Sequence, residues 1–140
     1  MHKYAYRAFG ILAASLIVPV ALAQSTRPLD NLSACRLDEA RIALRFTFEG
    51  GACQEAGAAS LLPADGVIGN VTVPTENVGE MCTMQIVPVG FAGVVDAGEE
   101  IITLDITVLS PEGRPQALGS TDVIIDENEV CEEPEAETAE

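Results

Sequence analysis

The sequence predicts an all-β, disulfide-bonded domain behind an export signal, and three observations carry that prediction. Apolar and polar residues alternate with a period of two in several short runs. The runs are separated by turns rich in Gly and Pro. Four cysteines, an even number, follow a segment that reads as a secretory signal, and an exported chain of that kind is expected to carry disulfides.

The signal comes first. Lys3 and Arg7 precede an apolar stretch from Ala8 to Val20, which leads to Ala21, Leu22 and Ala23 before Gln24. A positive end, a short apolar core and an A-x-A site make a signal peptide over residues 1–23, cleaved after Ala23. The stretch from Ala8 to Ala23 has 16 residues, short of the roughly 20 that span a bilayer. The first cysteine is Cys35, well beyond the cleavage site, so lipid attachment there is not expected. A periplasmic or secreted protein without a membrane anchor is the expectation.

Cleavage would leave 117 residues, enough for one domain with a modest core. All 22 acidic residues would remain against five arginines (Arg27, Arg36, Arg41, Arg45, Arg114), a formal charge of −17. Such a body repels nucleic acid and anionic membranes. A basic partner is permitted, although solubility in a salty medium is the plainer reading of the charge. His2, Tyr4 and Tyr6 lie in the signal and the chain has no Trp, so residues 24–140 contain no His, Lys, Tyr or Trp.

Residues 24–40 are expected to be a leader carrying the first cysteine, with Gln24 to Asn31 mobile and Leu32 to Ala40 a helical turn. The β domain is expected over residues 41–131. In its first strand Ile42, Leu44, Phe46 and Phe48 alternate with Arg41, Arg45, Thr47 and Glu49, ending at Gly50 and Gly51. Ala56 to Leu62 is a second candidate. Val67, Gly69, Val71 and Val73 share one face of the next run, which Pro74 stops. Cys82, Met84 and Ile86 share a face of a segment ending near Pro88, and Phe91 to Val95 adds a short strand. The clearest alternation sets Ile102, Leu104, Ile106 and Val108 against Thr103, Asp105 and Thr107. The turn at Ser110, Pro111, Glu112 and Gly113 leads into a return strand from Gln116 to Ile125. Six or seven short strands with such turns favour an immunoglobulin-like β-sandwich over a closed barrel. From Glu129 the chain is dominated by glutamate, and residues 132–140 are expected to form a disordered acidic tail.

Between Phe46 and Val108 the chain resembles small secreted bacterial immunoglobulin-like sandwich domains. The resemblance rests on Phe48, Gly51 and Cys53 at a strand end, the alternation from Val67 to Val73, and Cys82, Thr83 and Pro88 around the next strand. It departs where such domains close with a Gly-x-Tyr strand, since Asp105 to Leu109 has no tyrosine. No common function comes with the family. For the cysteines, pairing Cys35 with Cys53 is disfavoured because both would reach back along the Arg41 to Glu49 strand, about 27 Å at roughly 3.4 Å per residue. Cys53 and Cys82 each lie beside a turn, and the resemblance implies a bridge between them. Cys35 and Cys131 then tie the chain ends to the domain.

The same composition restricts chemistry. Ser-His-Asp and Cys-His catalysis need a base of near-neutral pKa, and with neither His nor Lys none is present. A two-carboxylate hydrolase remains formally open, but only Phe46, Phe48 and Phe91 are available as aromatic platforms, and no catalytic residues are assigned. Met81 and Met84 suggest soft copper coordination, but on a strand they point to opposite faces, so Met84 is expected to be core filler beside Cys82. Calcium is the one metal with candidate ligands: Asp96, Glu99 and Glu100 in one acidic turn, and Asp122, Asp126, Glu127, Asn128 and Glu129 in a second cluster. Solvated loops are the plainer reading of both, and no cofactor is expected. The leading expectation is a non-enzymatic binding or accessory module with an unidentified protein partner, using a loop edge or exposed strand. A calcium-stabilised structural domain of an extracellular assembly is the alternative, and a carboxylate-dependent hydrolase comes third.

Overall fold

The computed structural model describes residues 26–63, 66–125 and 131–135. The signal expected over residues 1–23 lies outside them, as do Asp126 to Glu129.

Among the described residues ten strands form: β1 (Arg27–Pro28), β2 (Asp30–Asp38), β3 (Arg41–Gly51), β4 (Gln54–Ala56), β5 (Ser60–Leu62), β6 (Ile68–Val73), β7 (Thr75–Asn77), β8 (Ile86–Asp96), β9 (Thr103–Leu109) and β10 (Pro115–Ile124). The described residues contain no helix. One curled sheet runs in the order β5, β6, β9, β10, β2, β3, β8, with β1 also on β10, while β4 and β7 pair separately. The bend falls on β10. It is antiparallel to β9 through Asp122, then pairs in parallel with β2 at Val123 and Ile124. The sheet curls around this strand.

The core lies within the curl, and the period of two explains which side chains reach it. Ile42, Leu44, Phe46 and Phe48 of β3 are all buried, in one cluster with Val71 and Val73 of β6 and Leu104, Ile106 and Val108 of β9. Arg45 and Glu49, on the other parity, are exposed. The turn expected after β9 forms as read: Gly113 has φ of 81° and donates its N–H to the Ser110 carbonyl at 2.8 Å.

Three expectations are corrected. The expected leader is part of the sheet: β2 sits between β10 and β3, Ala34 is fully buried, and Leu29 and Leu32 pack on the core. Its period of two is broken by register shifts between Asp30 and Ser33 and between Arg36 and Asp38, with Asn31 at φ 50°. Such bulges insert residues that hide a strand's alternation. Second, the segment expected to carry Cys82, Met84 and Ile86 inward is a loop as far as Gln85. Third, Pro88 does not end a strand. It lies inside β8, opposite Glu49, at the edge of the sheet where a missing N–H is tolerated.

Candidate functional site

β8 is bounded by two loops of opposite construction, and together they frame the surface with the most distinctive chemistry. The loop leaving β8 contains the acidic turn considered for calcium. Its carbonyl oxygens are already engaged by a cation from within the chain. Arg36 Nη1 donates to the carbonyls of Asp38 and Ala97, each at 3.1 Å, and Nη2 to those of Gly98 at 2.8 Å and Ile101 at 2.9 Å. A guanidinium offers several donors in a fixed fork, so one side chain satisfies a whole turn and lets Ala97 and Ile101 pack inward. Asp122 is directed elsewhere, accepting a hydrogen bond from Thr103 Oγ1 at 3.0 Å. Asp126 and Glu129 lie outside the described residues. Among the described residues no three acidic, His or Cys side chains gather into a metal-binding group.

The loop entering β8 is held covalently. Cys53 is bonded to Cys82, with Cα atoms 5.6 Å apart, and Val78 N–H donates to the Cys53 carbonyl at 2.8 Å. This grip leaves the loop's side chains outward: Met81 is 94% exposed, Met84 101% and Ile86, the first residue of β8, 61%. Met84 as core filler is thus overturned. Nor do Met81 and Met84 point to opposite faces of a strand, because no strand is there. Cys35 is bonded to Cys131, with Cα atoms 5.8 Å apart. These are the two pairs selected from the sequence.

Between the loops runs β8 itself. One side of it pairs with β3 along all eleven residues, and among the described residues no strand pairs with the other side. Alternate backbone N–H and C=O groups on that side thus have no strand partner among the described residues. From Ile86 to Val95 the strand carries no charge, and Asp96 closes it. The inward face is anchored by Phe91, whose ring stacks on Phe46 at 4.9 Å between centroids. Gly93 makes room for that ring, since a Cβ there would lie 2.7 Å from it. The outward face presents Pro88, Gly90 and Ala92, all small and exposed. The sheet's other edge, β5, has only three residues.

The outer face of β2 and β3 carries a separate electrostatic arrangement. Asp38 accepts from Ala40 N–H at 2.9 Å and from Arg41 Nε at 2.7 Å. The first of these, helped by the second, holds its carboxyl below the ordinary value of 3.8. Arg41 also meets Glu133 of the tail at 3.1 Å, and Asp38 and then Glu133 raise its pKa. Arg27 pairs with Glu49. Three of the five arginines are thus engaged with the protein's own carboxylates or carbonyls through Arg27, Arg36 and Arg41.

A buried polar clasp carried no signal in the sequence. Gln54 Nε2 donates to Thr75 Oγ1 at 2.7 Å and to Gln116 Oε1 at 2.6 Å, and Thr75 Oγ1 donates to the Leu109 carbonyl at 2.6 Å. It joins β4, β7, β10 and the end of β9 without any ionisable group, so its role is structural.

No family model, curated protein or solved structure matches the chain. The geometry of the described residues defines only a class: an all-β domain with two disulfides and a long edge strand uncharged from Ile86 to Val95.

Proposed function

We propose that this chain is a non-enzymatic binding module of the periplasm or exterior, with an immunoglobulin-like sandwich as scaffold, and that it takes an extended segment of a partner protein along the free edge of β8. The observation that carries the reading is the asymmetry of the two edges. A long uncharged edge strand is a liability that proteins ordinarily blunt with charge, cover or brevity. Here β5 is blunted by brevity, while β8 has eleven residues and a single terminal charge. Strand addition uses main-chain hydrogen bonds for affinity and accepts sequence variety in the partner. The sandwich reading is supported by the switch of β10 from β9 to β2, the type of corner by which one sheet becomes two facing layers. Two disulfides favour an oxidising compartment. The absence of His and Lys from residues 24–140 supports a role without acid–base or nucleophilic catalysis.

The test uses peptide selection against the folded domain and a Gly90→Lys variant. A Cβ at Gly90 meets nothing within 4 Å, so the added side chain fits without disturbing the fold. It places a charge at the proposed docking edge, which should weaken binding of selected peptides by about tenfold or more. Peptides that bind both proteins equally would remove β8 as the site and the reading with it.

A further inference from the structure

Residues 24–140 contain two methionines, and both lie within four positions of each other in the loop entering β8. Neither contributes to the core: Met81 is 94% exposed and Met84 101%. That is an unusual use of an apolar side chain, since methionine ordinarily fills gaps in cores or adaptable binding surfaces. The loop cannot easily fold them inward, because the Cys53–Cys82 bond and the Val78 to Cys53 hydrogen bond fix it at the surface. The rest of the chain sharpens the point. Residues 24–140 have no Trp, Tyr or His, and all four cysteines are bonded. The side chains most easily attacked by oxygen-transferring oxidants have thus been reduced to two thioethers, both on one exposed loop.

We propose that Met81 and Met84 form a reversible oxidation site for oxidants of the peroxide class. The thioether sulfur attacks one peroxide oxygen, an S–O bond forms and the O–O bond breaks. Sulfur loses two electrons and the departing oxygen gains them; with the proton released by the hydroxysulfonium it leaves as water from hydrogen peroxide or as an alcohol from an alkyl hydroperoxide. The product is methionine sulfoxide, polar where the thioether was apolar, and it is returned to thioether by sulfoxide reductases. Buried methionine cannot be oxidised without damage to packing, but here the change falls wholly on the surface. It makes two exposed apolar side chains polar, in a stretch that also exposes Val78 and Ile86, with the fold intact. This inference does not depend on strand addition at β8.

Hydrogen peroxide applied to the folded, disulfide-intact protein, followed by peptide mapping, tests it. Oxygen should appear at Met81 and Met84 at rates within about twofold of a free methionine peptide, as expected of fully exposed thioethers. The melting temperature should be unchanged, and reductases for the two sulfoxide epimers should restore the original mass. A Met81→Leu variant should take up oxygen only at Met84 among residues 24–140. Rates more than about tenfold below the free peptide would show that the loop is covered. Either that result or a lowered melting temperature on oxidation would overturn the proposal.

Discussion

The loop that enters β8 and the loop that leaves it are built on opposite plans. The entering loop is fastened by one covalent bond at Cys82, and the residues around that bond face water. The leaving loop has no disulfide, but a guanidinium collects its carbonyls, and Ala97 and Ile101 are drawn into the core. A disulfide acts chiefly by restricting the unfolded chain, so it holds a loop without requiring its side chains to pack. Hydrogen bonds to partly buried carbonyls act only when the loop is packed around them. The difference separates a loop available for contact or modification from one committed to stability.

The largest effect that would sharpen this comparison is expected from Arg36→Met. The methionine keeps some of the stem's packing but removes the donor to the carbonyls of Ala97 and Ile101 and one of the two donors to that of Gly98, which keeps Ile101 N–H. Hydrogen bonds to a charged group contribute about 1.5 to 3 kcal/mol each, and water would relieve part of the loss. A net destabilisation of about 2 to 4 kcal/mol is expected in urea melts. A loss below about 0.5 kcal/mol, the usual range for surface changes, would mean that the leaving loop does not depend on Arg36.

The smallest effect is expected at the other loop. Replacing Met81 and Met84 together by Gln should change stability by no more than about 0.5 kcal/mol, as surface substitutions usually do. A substantially larger loss in the same melts would show that the methionines pack somewhere in solution, and the contrast between the loops would fail.

The two loops also mark where the sequence was legible. Strands β3, β6 and β9 show the period of two plainly, so Phe46, Val71 and Ile106 could be assigned inward from their neighbours alone, although Ala43 is buried on the opposite parity and Ile102, read as inward, is exposed. β2 was hidden because its register shifts twice against β3, which scrambles the alternation that would have revealed it. β8 was divided at Pro88 because proline ordinarily stops a strand, a rule that relaxes at a sheet edge. Met84 was assigned inward because Cys82, Met84 and Ile86 share a parity, but parity has meaning only on a strand. Arg36 gave no sign of its role, since its partners are backbone carbonyls of a loop 61 to 65 residues away. Gln54 was equally silent, its partners being brought together only by the closing of the sheet.

Residue-resolved amide hydrogen exchange of the free protein tests directly whether the outer edge of β8 is open. Along Val87 to Val95, Pro88 aside, amides directed at β3 should be protected, and the alternate amides directed away from it should exchange orders of magnitude faster. That alternating pattern is the signature of a strand with one unpaired side. Uniform protection along the whole of β8 would mean that its outer side is already paired or covered, and would contradict the reading of β8 as a vacant docking edge.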